Sequence, residues 1–200
     1  MRLGKFFGLP LALCFALALT PAGVSGKTAQ RRATQTVTGT VVGISGRLAG
    51  RSYPLTLRVN NYSTADDAER LNAALRSGGQ DDLLSALTRL DAGRIAVGNN
   101  VGLTANAVFA SPTAEGGTKL IVLFERNVRL FELRYGTRSS DYRFGYAEIY
   151  LDARGRGEGT FIPAAKVRLE GNNNWVVEDF GAFPARIMGV RSSGSVRGVR

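Results

Sequence analysis

Four glutamates, Glu132, Glu148, Glu158 and Glu178, carry the chemistry this chain could perform. Two carboxyl groups facing each other across a cleft can cleave a glycosidic bond, one protonating the leaving oxygen while the other attacks or activates water. All four fall on or beside segments that read as strands. The competing use is structural, because a carboxylate drawn out of water is usually paired. Arg134, Arg138 and Arg143 are close in sequence and could supply that partner. Glu148 is the sharpest case. It interrupts the alternating row Tyr142, Phe144, Tyr146 and Tyr150, and a charge on an apolar face costs energy unless a partner meets it. An arginine is therefore expected against Glu148. Glu148, Arg138, Arg143 and Tyr146 form the candidate binding set. The aromatic row could stack sugars or bases, but packing in a core is the weightier expectation, since aromatics dominate cores.

Other chemistries lack their residues. The chain has no histidine, and its one cysteine, Cys14, sits in an apolar N-terminal run. Once that run is removed, Ser-His-Asp and Cys-His catalysis are excluded, as are zinc sites built on His or Cys ligands. Gly43-Ile44-Ser45-Gly46 is one residue too short for a nucleophile elbow. Gly155-Arg156-Gly157-Glu158-Gly159 resembles a phosphate loop in composition only. Such a loop must open a helix, and here it joins two strand-like runs, so a hairpin turn is expected. The acids Asp66, Asp67, Asp81 and Asp82 lack the spacing of a calcium loop and read as helix-end acids. No metal and no cofactor is expected.

The elements that must position these residues follow from periodicity. From Asp141 to Leu169, apolar residues alternate on both faces, turn over Asp152 to Gly159 and run back. This is a long hairpin near the centre of a sheet, buried on each side. Strands are also expected around Val37 to Ile44, Leu55 to Val59, Ile95 to Val97, Val101 to Ala110, Leu120 to Phe124, Val128 to Leu133, Trp175 to Val177 and Ile187 to Val190. The period changes between Thr64 and Leu90. Thr64 offers a capping hydroxyl, Leu71 and Leu75 keep helical spacing, Gly78-Gly79 stops the helix, and Leu83, Leu84, Leu87 and Leu90 continue it. The fold class is mainly β, an antiparallel sandwich or barrel with one inserted helical hairpin.

Residues 1–26 read as a signal peptide, with Arg2 and Lys5 ahead of the apolar run Phe6 to Leu19 and small residues after it. The run is shorter than the roughly 20 apolar residues a span needs, so no stable membrane span is expected after its removal. Leu13, bulky and just ahead of Cys14, argues against lipid attachment. Residues 27–34 form a basic lead-in, 35–191 a single domain, and 192–200 a disordered tail. The formal charge is +10 and falls to near +8 without Arg2 and Lys5. Charges of both signs are expected over the whole body. The bland reading is solubility; the sharper one is attraction to an anionic envelope polymer, lipid head groups or a partner protein. Nucleic acid is disfavoured by export and by the lack of a basic motif.

The helices between Thr64 and Leu90, the run Glu125 to Gly159 and the run Val176 to Arg191 together resemble a group of secreted bacterial proteins of uncharacterised function. The resemblance covers residues 35–191. It implies secretion, a shared fold, an acid at Glu148, the glycine-rich acidic turn Gly155 to Gly159 and the step Glu178 to Gly181. It implies no activity. Three functional readings follow: an exported non-catalytic envelope protein with a binding or structural role, secreted or periplasmic; a glycan hydrolase using paired glutamates; and a carrier of a small apolar ligand, which would need a large cavity.

Overall fold

Period-two alternation builds one antiparallel sheet and bends it round on itself. The computed structural model describes residues 32–44, 49–99, 101–127, 138–171, 174–180 and 185–194. Its elements are β1 (Arg32–Gly43), β2 (Ser52–Asn61), α1 (Ala65–Leu87), β3 (Gly93–Val97), β4 (Leu103–Ala105), β5 (Ala107–Pro112), β6 (Thr118–Glu125), β7 (Phe144–Leu151), β8 (Arg156–Glu170), β9 (Asn174–Asp179) and β10 (Ala185–Ser193). The strand order is β4-β3-β2-β1-β10-β8-β7-β6-β5, with β9 also on β8. Inward positions Val37, Leu57, Ile95, Val108, Val122, Ile149 and Ile187 fill the interior from strands all round the sheet. Among the described residues, no helix is long and apolar enough to cross a membrane.

Asn106 closes the barrel. β4 pairs with β3 and β5 with β6, so the two ends of the sheet are consecutive pieces of chain joined at Asn106. Its side chain is 5% exposed. Asn106 Nδ2 donates to Leu90 O at 3.1 Å, and its Oδ1 accepts from Glu125 N at 3.0 Å. Ala105 and Val108 both point inward across the step, an odd spacing that strict alternation forbids and a bulge permits. Ser63 completes the seam: its N donates to Val108 O at 2.8 Å and its Oγ accepts from Val108 N at 3.0 Å.

The expected hairpin is β7 and β8, in register from Leu151↔Gly157 to Tyr146↔Ile162. Only Asp152 to Gly155 turns the chain. Gly157 and Gly159, expected in the turn, belong to β8. A Cβ there would lie 1.7 Å from Tyr150 O and 2.3 Å from Glu148 O, respectively, so the glycines allow β8 to press against β7. The outer face of β7 is covered over only half its length. Phe144 and Tyr146 are buried under α1, whereas Tyr150 is exposed.

β8 bulges at Pro163-Ala164, where the register with β7 slips, a position proline tolerates. Beyond it β8 leaves the barrel and pairs with β9. The outer helix grips this extension. Gln80 Nε2 donates to Val167 O at 2.6 Å while its Oε1 accepts from Val167 N at 3.1 Å, as a neighbouring strand would. Trp175 Nε1 donates to Asn72 Oδ1 at 2.5 Å. The two helices expected on either side of Gly78-Gly79 are one element interrupted there, with Gly79 at φ 68° and ψ −139°. Only glycine adopts that conformation without strain, and the break turns Gln80 toward β8. The capping hydroxyl expected at Thr64 is present: it accepts from Asp67 N, and the Asp67 carboxylate accepts from Thr64 N.

The strand expected over Val101 to Ala110 is divided at Asn106. β1 begins at Arg32, inside the expected lead-in, and β10 reaches Ser193, inside the expected tail. The signal segment, the strand at Val128 to Leu133, and Arg134 and Glu132 lie outside the described residues.

Replacing Asn106 with leucine removes the side-chain partners of Glu125 N and Leu90 O at a part-buried seam. Each orphaned group costs about 1–3 kcal/mol, so urea unfolding should show a loss of about 2–4 kcal/mol.

Candidate functional site

Glu148 sits at the middle of β7 with its side chain on the outside of the barrel, 24% exposed. Tyr146 and Tyr150 flank it two residues either way on the same face. Tyr146 Oη donates to Oε2 at 2.5 Å, and Tyr150 Oη donates to Oε1. Lys119 on β6, whose register partner is Tyr150, brings its Nζ to 3.2 Å from Oε1. The same ammonium lies 5.4 Å from the Tyr150 ring centroid. Burial alone would push the Glu148 carboxyl up. The two phenol hydroxyls and Lys119 outweigh it and hold the group below the ordinary carboxylate range. Burial likewise works against the charged form of Lys119, but its bonds to Glu148 and Tyr150 leave it raised. Tyr146 is pushed far above the usual phenol range by burial first and by the adjacent carboxylate second. The cluster is thus a fixed anion with a fixed cation.

The partner of Glu148 is a lysine, not the expected arginine. Arg143 instead reaches Asp81, Nη1 to Oδ1 at 3.7 Å, at an exposed position on α1. Arg138 stands in a 3-10 turn, Arg138–Asp141, away from β7's centre. Of the expected set, the structure brings together Glu148 and Tyr146 only. The acid–arginine pairing expected for the glutamates occurs at Glu178, which accepts from Arg168 Nη2. Glu158 lies opposite Tyr150 on β8, one diagonal step from Glu148 on the same outer face. A hydrolase needs one carboxyl held protonated and a second held ionised. The environment of Glu148 fits only the second role.

A second surface carries charge of one sign. The contiguous strands β4, β3, β2, β1 and β10 contain no aspartate or glutamate. Their outward positions form rows across the sheet. One row is Ser193, Thr36, Arg58, Arg94 and Thr104; the next is Arg191, Thr38 and Thr56. Arg186 lies on the same face, opposite Val42. Arg58 and Arg94 are direct cross-strand neighbours, a placement that costs stability because like charges face each other. Arg94 Nη1 is turned toward Gly102 O at 3.3 Å. Arg58, Arg186 and Arg191 are exposed and make no ion pair among the described residues. Charge is therefore segregated, not mixed over the whole body. The sequence held a signal for this that residue-by-residue reading missed: all the acids fall between Asp66 and Asp179, and β1, β2 and β10 lie outside that window.

Comparison of the chain with protein-family models, with curated proteins and with solved structures found no match. The geometry of the Glu148 cluster makes its own prediction. A carboxyl depressed in the folded state contributes stability that is present above its unfolded pKa and lost as pH falls through the folded value. Glu148→Gln should therefore be about 1–2 kcal/mol less stable than the parent protein near pH 7. The difference should shrink as pH falls below the ordinary carboxylate range and through the folded value. Urea unfolding over a pH series from neutral to acid checks this, and a gap independent of pH would show that the charge of Glu148 contributes nothing.

Proposed function

We propose that the protein is an exported, non-catalytic binding protein of the bacterial cell envelope, secreted or periplasmic, which engages an anionic polymer through the outer face of β10, β1, β2, β3 and β4. One observation carries the reading: five adjacent strands without an acid present Arg58, Arg94, Arg186 and Arg191 among threonines. Guanidinium groups bind carboxylate and phosphate oxygens through paired N–H donors. Threonine hydroxyls add hydrogen bonds without adding charge of the wrong sign. A regular sheet spaces these groups by about 4.8 Å from strand to strand, a repeat suited to a polymer rather than to one small anion. Retaining Arg58 directly opposite Arg94 is explained if an anion lies across both. Export is supported by the basic and apolar N-terminal segment. The hydrolase reading is not favoured, because both oxygens of the best-placed carboxylate, Glu148, are engaged by Tyr146, Tyr150 and Lys119 instead of facing an open cleft.

Binding to immobilised heparin, a sulfated polyanion, tests the proposal. Arg58, Arg186 and Arg191 are changed together to glutamine, and Arg94 is left in place because it braces the turn at Gly102. Each exposed arginine contributes roughly 0.5 kcal/mol, so affinity near 0.15 M ionic strength should fall about ten-fold. A control of equal charge, Arg76, Arg89 and Arg154 to glutamine, should lose far less. Equal losses in the two variants would reduce the effect to net charge and sink the proposal.

A further inference from the structure

The two ends of the barrel are finished differently. At the end where β1 starts and β10 finishes, a polar chain lies across the interior. Tyr62 Oη donates to Gln35 Oε1, and Gln35 Nε2 donates to Ser192 Oγ at 2.6 Å. At the other end the interior opens into a cavity of about 540 Å³. Its floor is Phe124 and Phe161, rings nearly parallel with centroids 6.4 Å apart. Ile95, Val97, Leu103 and Pro163 form its walls, and the polar groups of its lining are Arg126 and Asn127. Val101 and Leu103 stand at the rim 90% and 38% exposed, apolar surface that a soluble protein gains nothing by showing.

We infer that this mouth is a binding site for a compact, ring-bearing apolar molecule with one polar end. The volume falls within the roughly 300–1,000 Å³ of small-molecule sites, which are typically apolar with a few placed polar groups. The sealed floor limits depth: Phe124 and Phe161 belong to the packed interior, so an extended chain cannot thread the barrel, whereas a ring can rest on two flat side chains. The ligand's polar end faces Arg126 and Asn127. The rim is held in shape. Gly102 has φ 86°, and a Cβ there would come within 2.8 Å of Ile95 O. Arg94 Nη1 donates to the carbonyls of Val101 and Gly102 at 3.5 and 3.3 Å. The site is separate from Arg58, Arg186 and Arg191, so its failure would leave the polymer-binding proposal standing.

The test uses the neutral fluorophore N-phenyl-1-naphthylamine with the full chain as secreted. Saturable binding at one site per chain is expected. Val101→Arg with Leu103→Arg, both at exposed positions, should weaken it at least ten-fold with the circular dichroism spectrum unchanged. Met188→Arg, an exposed apolar position on β10, should leave it unchanged, as should the triple glutamine variant of the basic face. Absence of saturable binding overturns the inference. So does equal loss in the Met188 variant. So does a parent protein that sediments as a dimer and becomes monomeric in the rim variant, which would make the mouth an interface between copies.

Discussion

A sheet that bends round until its ends meet has to be joined somewhere, and in this protein the join is centred on one buried amide, Asn106, with Ser63 beside it. Asn106 lies where one continuous stretch of chain stops pairing with β3 and starts pairing with β6. At such a step the backbone ladder is interrupted, and buried donors and acceptors would be stranded. The Asn106 side chain supplies both a donor and an acceptor, and so replaces the missing rungs. Everything outside depends on this closure. It fixes which residues face inward, and it brings the two end strands of the sheet, β4 and β5, together at one seam. It also leaves the molecule with a packed interior and an outer surface that can be put to different uses on different sides.

Those uses are set by what covers the outer surface. Over β5 to β9 many outward residues are large and apolar, among them Phe109, Leu123, Phe144, Val167 and Trp175. They need a cover, and α1 provides it, with Asp66, Glu69, Asp81 and Asp82 on the solvent side and Asp67 buried in its cap. Over β10 and β1 to β4 the outward residues are mainly threonines and arginines, with Met188 an exposed apolar exception, and they need no cover. A carboxylate placed between Arg58 and Arg94 would relieve their repulsion, yet β1, their neighbour, offers only Thr36 at that row. By contrast Glu148, the one acid at the centre of β7, is neutralised by Lys119 and two phenols. The protein quenches its isolated negative charge and leaves its clustered positive charge open. That asymmetry is why the binding reading attaches to the arginine face and not to Glu148.

The sequence carried the local parts of this design well. The β7–β8 hairpin was legible because its alternation is strong and its ends meet through a four-residue turn. The Thr64 cap was legible because hydroxyl and carboxylate lie three residues apart. What depends on register was not. Lys119 meets Glu148 only because β6 and β7 pair with Lys119 opposite Tyr150, a choice that no short-range pattern reveals. An arginine near in sequence was the natural guess, and it failed because Arg143 falls just outside β7, where the chain turns toward α1. Gly157 and Gly159 look like turn residues from composition alone. Their role is close approach of two strands, which requires knowing the strands. Asn106 carried no signal at all: one asparagine inside a weak strand is indistinguishable from any other until both sheet ends are in place.

The difference between the barrel's ends follows from the same logic of register. A strand that kept its alternation through Phe161 and beyond would keep placing side chains inside the barrel. The bulge at Pro163-Ala164 ends that sequence, and β8 then turns its apolar residues Ala165 and Val167 toward α1. Side chains that would have filled this end are spent on the outer core. Gly145 removes another, because a Cβ there would lie 2.1 Å from the Phe124 ring. Phe124 therefore lies flat over the glycine and forms a floor instead of a plug. At the opposite end β1 and β10 stay paired to Thr36↔Ser193 past a register shift between Thr38 and Thr40, and Gln35, Tyr62 and Ser192 link across. Burial there pushes the Tyr62 phenol up to about 12, so its proton stays in place for the bond to Gln35 even above the ordinary phenol range. One end is thus held by hydrogen bonds that fix their partners, and the other is left to apolar surface that fixes nothing until something occupies it.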